Sequence, residues 1–470
     1  MQTGIQKLSI REKIGYSLGD GAANFFFQTI MMYQVVYFTD VLRLPGNQAR
    51  ILFLVALFWN AIFDPFMGIM ADRTKTRWGK FRPWILWSSI PFGVLFYLTF
   101  LTPELKDGPK LAYAYITYIL MMTIYSVNNT PYSALSGVLT GDTKERTGIA
   151  SYRQFTAMAC SFIIQGFLLT LKNHFAVGHD QAYGWRTAIG IFAAVAIIFH
   201  FITFLTTKER IVPAKEDESN LGDAVRDIFR NRSWIVLFFA TLFIFTTLCL
   251  RGNMIYMYFT RYLDSATLQE FMSKLGYGTL ANPGEKSMEL FNMVGMAFTI
   301  LGIVMSKPLS VKYGKKLVFI VGLAFAAGFN GLVYIASSTE PVKVYIINIF
   351  QTFSFGVTIP LLWSMLGDVA DYAMWKFMRR STGFVFAGIS FALKVGLGIG
   401  LAAATWIKEI YRLESEDAEL YNTEGFRLGA SIFPAILFGL AVIFLIFYSI
   451  SPKMEKQIQD ELEARRKART

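Results

Sequence analysis

The sequence is poor in charge and in the side chains that build catalytic or metal centres. Charged residues make up 17% of its 470 residues, against 54% hydrophobic and 16% aromatic residues. A composition this apolar excludes a soluble domain of this length. The two cysteines, Cys160 and Cys249, lie within apolar runs and indicate no disulfide framework. No Gly-x-x-x-x-Gly-Lys-Ser/Thr motif, nucleophile pattern or metal-ligand spacing is present, so neither direct use of ATP nor an enzyme is predicted.

Long apolar runs follow one another along the whole chain instead. A membrane-spanning helix needs roughly 20 predominantly apolar residues. Because the runs are continuous rather than alternating, they favour helices over barrel strands. The predicted fold class is therefore an all-α membrane protein with about twelve transmembrane helices. The predicted spans are 16–39, 48–70, 83–102, 110–139, 153–171, 187–206, 234–261, 290–306, 316–336, 343–366, 384–407 and 426–450.

The lysines and arginines concentrate in every second loop. Loops 72–82, 307–316 and 376–380 are basic, as are both termini, whereas 40–47 and 337–343 carry little charge. The positive-inside rule then predicts that both termini and the central linker are cytoplasmic. The net charge of +12 is explained by this topology and by anionic headgroups, so no nucleic-acid partner is predicted. The first apolar run lacks a convincing cleavage site and is expected to remain as the first helix.

A strongly charged interior stretch divides the chain into halves with about six spans each. After the second span, 68–80 is a basic, glycine-containing turn, and 306–316 is similar after the eighth. The similarity of these two turns favours duplicated halves, although short cytoplasmic loops are commonly basic in any case. The C-terminal tail, residues 452–470, is expected to be a cytoplasmic helix or a solvated end. The predicted domains are a six-helix bundle at 1–206, a cytoplasmic linker at 207–233, a second six-helix bundle at 234–451 and a tail at 452–470.

Motifs in both halves occur in a characteristic order. They are Gly-Tyr-Ser-Leu-Gly-Asp at 15–20, Trp-Asn-Ala-Ile-Phe-Asp-Pro at 59–65, Arg-Trp-Gly-Lys-Phe-Arg-Pro-Trp at 77–84, Tyr-Ser-Val-Asn-Asn-Thr-Pro-Tyr at 125–132, Asp-Val-Ala-Asp-Tyr at 368–372 and Phe-Ala-Leu-Lys at 391–394. They resemble the glycoside-pentoside-hexuronide:cation symporter family of the major facilitator superfamily. Within that family, the chain looks closer to bacterial xyloside and other glycoside transporters than to the melibiose permease.

This resemblance implies a major facilitator fold of two six-helix bundles in the bacterial inner membrane. The implied function is cation-coupled import of a glycoside, pentoside or hexuronide by alternating access. Two alternatives remain open, namely a carrier of lipid or lysolipid and a sensor that binds sugar without moving it. The sequence gives no oligomeric state and predicts no cofactor besides the coupling ion.

Asp64 is the strongest candidate for the coupling residue. It lies four residues after Asn60 on the same helical face, inside a span where an unpaired carboxylate is costly. The functional interpretation is that Asp64 takes up and releases the cation. The structural interpretation is an ion pair with a basic residue such as Arg153 or Lys394. The two are compatible, because a carboxylate that exchanges a lysine for a cation makes a natural switch.

The resemblance also implies where the cation would bind. Two aspartates, an asparagine and a fourth-helix hydroxyl hold Na⁺ in the melibiose permease, and these positions fall here on Asn60, Asp64, Phe63 and Ser126. A hard cation prefers several oxygen ligands, which Phe63 cannot supply. We therefore expect proton coupling through Asp64, with Na⁺ at Asn60, Asp64 and Ser126 as the alternative. Lys394 is expected to contribute to cation coupling and to substrate binding.

Polar side chains within the first, fourth and fifth spans are candidates for binding a sugar. Their donors and acceptors suit hydroxyl groups, although amides in spans also join helices to one another. Trp363, near Pro360, is a candidate platform for a sugar ring. The candidate substrate-binding residues are Asp20, Asn24, Asn128, Asn129, Arg153, Trp363 and Lys394.

The resemblance narrows the substrate. The aspartates that grip galactoside in the melibiose permease fall on Asn24 and Asn129, and its stacking aromatic falls on Ser133. An α-galactoside is therefore not expected. Amides lack the charge that repels an anionic sugar, so hexuronides and sulfonated glycosides remain possible beside xylosides.

Charged residues at the predicted cytoplasmic ends of spans are candidates for gating. Asp72 and Arg77 are expected to pair with charges at the ends of neighbouring helices. Asp368 and Asp371 lie near the basic residues 379–380. Such ion pairs would form when the cytoplasmic side closes and break when it opens.

Overall fold

The chain is helical throughout the parts that the computed structural model describes. These are residues 8–140, 143–210, 226, 229–377, 382–412 and 423–467. Within them, ten helices are long and apolar enough to cross a membrane, and no strand is present. The predicted all-α membrane class is confirmed. The chain divides into two compact units, Met1–Ala214 and Lys215–Thr470.

In the described part of the first unit, six long helices pack against one another. Helix α1 packs against α5 and α6, α3 packs against α4 and α6, and α2 packs against α4. Helices α1 and α3 are not among the ten helices above, but each packs against two other helices of this bundle. The helices are α1 Ile10–Val36, continued by a π-helical turn Tyr37–Val41, α2 Gly46–Arg73, α3 Arg82–Thr99, α4 Asp107–Leu139, α5 Thr143–Ala176 and α6 Gln181–Thr206.

The second unit contains six further spans in its described residues, one of them made of two helices. A break at Ser431 separates α13 from α14, and together they form one span. Helix α7 packs against α12 and α14, α11 packs against α9 and α10, and α15 lies on α11. The helices are α7 Arg232–Met257 with a π-helical turn Tyr258–Tyr262, α8 Ser265–Lys274, α9 Pro283–Tyr313, α10 Lys315–Leu332 with a 3₁₀ turn Val333–Ile335, α11 Pro341–Phe377, α12 Thr382–Ile410, α13 Glu424–Ala430, α14 Ile432–Ile446 and α15 Pro452–Lys467.

Several helices differ in length from the predicted spans. Helix α9 covers Pro283–Tyr313 instead of 290–306, and α11 covers Pro341–Phe377. Helix α4 continues through Pro131. Hydropathy marks only the apolar middle of a helix, so the polar turns at either end were missed. The tail, predicted as a helix or a solvated end, forms α15.

The two units share features at corresponding positions. The π-helical turn after α1 and the one after α7 begin with the same Tyr-Phe-Thr triplet, at 37–39 and 258–260. The third long helix of each unit follows a glycine with positive φ, Gly79 at 112° and Gly314 at 85°. Only glycine adopts such a φ without strain. These shared features support an internal duplication.

Candidate functional site

An ion pair between α1 and α5 rests on two stacked aromatic rings. The Nη2 atom of Arg153 lies 3.2 Å from Oδ1 of Asp20, with 27% and 18% of the two side chains exposed. The guanidinium carbon lies 5.0 Å from the ring centre of Tyr132 and 5.7 Å from that of Tyr16. The two rings stack with their centroids 4.7 Å apart. Helices α1, α4 and α5 thus meet at one charged, partly exposed group of side chains.

A row of polar pairs continues along the interface of α1 and α5. The Thr156 hydroxyl donates to Ser17 Oγ at 2.9 Å, and Gln165 Nε2 donates to Gln28 Oε1 at 3.4 Å. Asn24, one turn after Asp20, donates its amide to the Asp20 carbonyl at 2.8 Å. The Asn24 side chain therefore lies along its own helix, with its amide oxygen available to another donor.

On α2 and α4, the structure brings together two of the candidate cation ligands. The Ser126 hydroxyl donates to Asn60 Oδ1 at 3.5 Å, and both residues are buried. Asp64 lies one turn further along α2, is partly buried, and has its Oδ1 atom shielded from solvent. Phe63 stacks on Trp59, with ring centroids 6.0 Å apart, and adds only apolar surface.

Tyr125 connects these two groups of residues. The charges of both Asp20 and Asp64 act on its hydroxyl, so it lies within electrostatic range of each carboxylate. Its ring packs against Phe26 at 5.6 Å. The packing of α4 between α1 and α2 gives it this position.

The two asparagines of α4 differ in their surroundings. Asn128 is buried and donates to the hydroxyl of Ser88 on α3 at 2.8 Å. Its amide therefore joins two helices, which was the alternative use considered for it. Asn129 is only partly buried.

Two candidate substrate residues lie in the second unit. Trp363 on α11 is 42% exposed, as a platform for a ligand requires. Lys394 on α12 is partly buried.

The candidate gating residue Asp368 has a partner that the sequence did not suggest. Lys315, at the start of α10, donates to both oxygens of Asp368 at 2.8 and 2.7 Å. The same ammonium group lies 2.6 Å from Glu455 on α15. Asp371 is partly buried, and the basic residues 379–380 lie outside the described residues. Asp368 thus pairs with Lys315, and its expected pairing with residues 379–380 stays a prediction.

The remaining gating candidates lie between α2 and α3. The side chain of Asp72 is outside the described part of the structure. Arg77 is exposed and places its guanidinium 4.7 Å from the centre of the Trp78 ring, and it forms no ion pair with the described residues.

A carboxylate that sequence reasoning missed holds this loop. Glu209, just after α6, accepts hydrogen bonds from the three successive backbone amides of 80–82 at 2.8, 2.7 and 2.9 Å. It lies directly against Gly79, where any side chain would overlap its carboxylate. Arg210 pairs with Glu12 of α1 through both of its terminal nitrogens, at 2.6 and 2.9 Å. These hydrogen bonds raise the pKa of Arg210. An acidic residue directly after a span was the available signal.

Comparison with known proteins identifies the family to which the chain is similar. The family model described as MFS/sugar transport protein matches residues 15–452. The inner membrane symporter YicJ of Escherichia coli (strain K12) is 32% identical over 97% of this chain and 95% of its own length. The putative glycoside/cation symporter YagG of the same strain is 31% identical over 98% and 96%. The isoprimeverose transporter of Lactiplantibacillus pentosus is 30% identical over 96% and 91%.

Solved structures agree on the fold. A bacterial homologue of the human drug peptide transporters PepT1 and PepT2 superposes with a TM-score of 0.63 at 13% identity, over 95% of this chain and 99% of that one. The nucleoside transporter NupG superposes with a TM-score of 0.58 at 13% identity, over 94% and 100%. At this identity the likeness concerns the fold alone, which is that of transporters with two helical bundles.

Proposed function

We propose that this chain, which belongs to the MFS/sugar transport protein family, is a cation-coupled symporter that imports a glycoside, pentoside or hexuronide across the bacterial inner membrane. The printed names of three relatives, a symporter, a glycoside/cation symporter and an isoprimeverose transporter, support this class of substrate and coupling. Alternating access and cytoplasmic termini belong to the same proposal, and the basic loops support the orientation.

The observation that carries the proposal is the Asp20–Arg153 pair on its aromatic base. A carboxylate accepts from sugar hydroxyls, and a guanidinium donates several hydrogen bonds in a fixed plane. Both side chains keep part of their surface exposed, so a ligand can reach them. The Tyr16–Tyr132 stack fixes the pair before a ligand arrives, which reduces the entropy that binding would otherwise cost.

Proton coupling through Asp64 fits the surroundings of this residue better than Na⁺ coupling. Asn60 already accepts a hydrogen bond from Ser126, and Phe63 provides no oxygen. Na⁺ needs several oxygen ligands, whereas a single carboxylate suffices for a proton. Tyr125 lies within electrostatic range of both Asp20 and Asp64, so a change of charge at Asp64 occurs close to the substrate residues. Coupling follows because a ligand shifts a conformational equilibrium only through its different affinities for the two states.

Uptake into proteoliposomes tests this function. A panel of radiolabelled pentosides, hexosides and uronides is offered under separately imposed proton and Na⁺ gradients, with Asp64→Asn beside the wild type. Accumulation should follow the proton gradient and disappear in Asp64→Asn. Asp107→Asn is the matched control, because this carboxylate is fully exposed at the start of α4. Accumulation that depends strictly on Na⁺ and ignores the proton gradient would contradict the choice of ion. Uptake of no sugar would contradict the function.

A further inference from the structure

Arg251, within the seventh span, donates to two neutral side chains among the described residues. Its Nε atom donates to Oδ1 of Asn330 on α10, and its Nη2 atom donates to Oδ1 of Asn348 on α11, both at 2.9 Å. The ring of Phe291 on α9 lies beneath it, 5.7 Å from the guanidinium carbon. Among the described residues, no carboxylate forms an ion pair with it. Four helices of the second unit thus converge on one cation.

Such a cation is expensive to keep inside a membrane protein. Two amide oxygens replace part of its hydration but do not neutralise its charge. Two other cations of this chain pair with carboxylates, Arg153 with Asp20 and Lys315 with Asp368. An ionisable side chain inside a span is by default a candidate functional group, with its partner to be found. Among the described residues Arg251 has no such partner, and an anion would supply the negative charge that the two amides lack.

The amides are oriented in a way that leaves donors for this anion. Asn348 is fixed by its Nδ2 atom, which donates to the Phe291 carbonyl at 3.1 Å. Asn330 is fully buried, and its Nδ2 atom has no acceptor within the described residues. Arg251 is partly exposed, and its Nη1 atom likewise donates to no described residue. A charged donor of Arg251 and a neutral donor of Asn330 therefore remain unused among the described residues.

We propose that Arg251, with Asn330 and Asn348, binds a single carboxylate or sulfonate group of an anionic substrate. The inference rests on the proposed function as a glycoside carrier and narrows its substrate class to acidic sugars. A planar guanidinium matches a carboxylate or sulfonate in both charge and geometry. A neutral sugar offers nothing that offsets the buried charge.

Binding to the purified full-length protein separates this proposal from the transport function. The probes are methyl β-D-glucuronide and methyl β-D-glucoside, which differ at one carbon that carries either a carboxylate or a hydroxymethyl group. The wild type should bind the glucuronide about tenfold or more tightly than the glucoside. Arg251→Gln should lose that preference, while its affinity for the glucoside stays within about twofold. Lys274→Gln, on an exposed side chain of α8, is the control and should behave as the wild type.

Asn330→Asp guards against the possibility that Arg251→Gln misfolds. The Nδ2 atom that it replaces by an oxygen has no acceptor among the described residues, and the Oδ1 atom that it keeps lies 2.9 Å from Arg251 Nε. This built-in counter-charge should keep or raise the melting temperature and should abolish the glucuronide preference.

Binding needs no ion gradient, so these measurements test the anion site independently of cation-coupled transport. Equal affinity of the wild type for both sugars overturns the anion site alone, and so does a preference that survives in both variants. Acetate binding that is lost in Arg251→Gln, while glucuronide binding is unchanged, assigns the site to a free small anion and also overturns the proposal. A protein that binds neither sugar, nor any other sugar of the transport panel, contradicts the proposed function itself.

Discussion

Tyr16 and Tyr132 exchange hydrogen bonds across the interface of α1 and α4. The hydroxyl of each donates to the backbone carbonyl of the other, at 3.0 and 2.8 Å. The two rings stack, so α1 and α4 are joined both by their backbones and by their side chains. The guanidinium of Arg153 lies over this pair of rings, so the rigidity of the pair determines how precisely the ion pair with Asp20 is held.

Tyr132→Phe removes one of these hydrogen bonds and keeps the ring. We expect the protein to lose about 1 kcal/mol of stability and sugar affinity to fall severalfold, because Arg153 loses its fixed base. Tyr113→Phe is the matched control, since it removes a comparable bond to the Leu98 carbonyl far from Arg153. Melting temperatures and binding isotherms of both variants check this. An equal loss of affinity in both variants would contradict the role of the stack.

Asp20→Asn leaves the Arg153 guanidinium without its counter-charge. Breaking a buried ion pair by removing one partner typically costs about 3 kcal/mol or more, somewhat less here because both side chains are partly exposed. Arg153→Gln in the same protein should recover most of the melting temperature but none of the sugar binding. Thermal unfolding and binding of the two single variants and the double variant measure this. Recovery of sugar binding in the double variant would show that Asp20 and Arg153 are not part of the sugar-binding site.

Asn60→Asp combined with Phe63→Asn should convert the carrier to Na⁺ coupling. The pair of changes supplies a second carboxylate and one more oxygen near Asp64 and Ser126, the ligand types that a hard cation prefers. Uptake should become Na⁺-stimulated in the double variant. Phe63→Leu is the control, because it removes the aromatic ring without adding an oxygen. If the double variant folds and still ignores Na⁺, the cation site lies elsewhere.

Glu209→Gln weakens the support of the loop between α2 and α3. The carboxylate accepts three backbone N–H groups, and hydrogen bonds to a charged group contribute about 1.5–3 kcal/mol each at most. We expect lower stability and faster amide exchange at 80–82. Glu104→Gln, on an exposed residue before α4, should change neither. Hydrogen exchange followed by mass spectrometry reads out this region, and unchanged protection at 80–82 would contradict the assignment.

Hydropathy and charge predicted the number and order of the spans because lipid requires long apolar helices. They could not predict the helix ends. The first turns of α9 are polar, and Glu285 and Glu289 are held there by Tyr256 at 2.6 Å and Lys286 at 3.0 Å. The contact of Glu285 with Tyr256 depends on tertiary packing, which a hydropathy window does not contain.

The candidate site was predictable by residue type but not by pairing. Asp20 and Arg153 stand 133 positions apart, and only the packing of α1 against α5 brings them together. Asn128 and Asn129 are indistinguishable as candidates in the sequence, but in the structure Asn128 donates a hydrogen bond to Ser88. Arg251 was passed over because nothing next to it in the sequence marks it. The isolated arginine within an apolar run was the signal that could have found it.

The π-helical turns that follow α1 and α7 have a consequence for how the chain can be edited. Each turn inserts one residue relative to α-helical spacing, which rotates everything beyond it by about 100° around the helix axis. Both turns begin at the same Tyr-Phe-Thr triplet. Deleting a single residue from either triplet would restore an even pitch and turn the following loop toward a different neighbour. The length of these two helices is therefore set to the residue, although lipid alone would tolerate one more or one fewer.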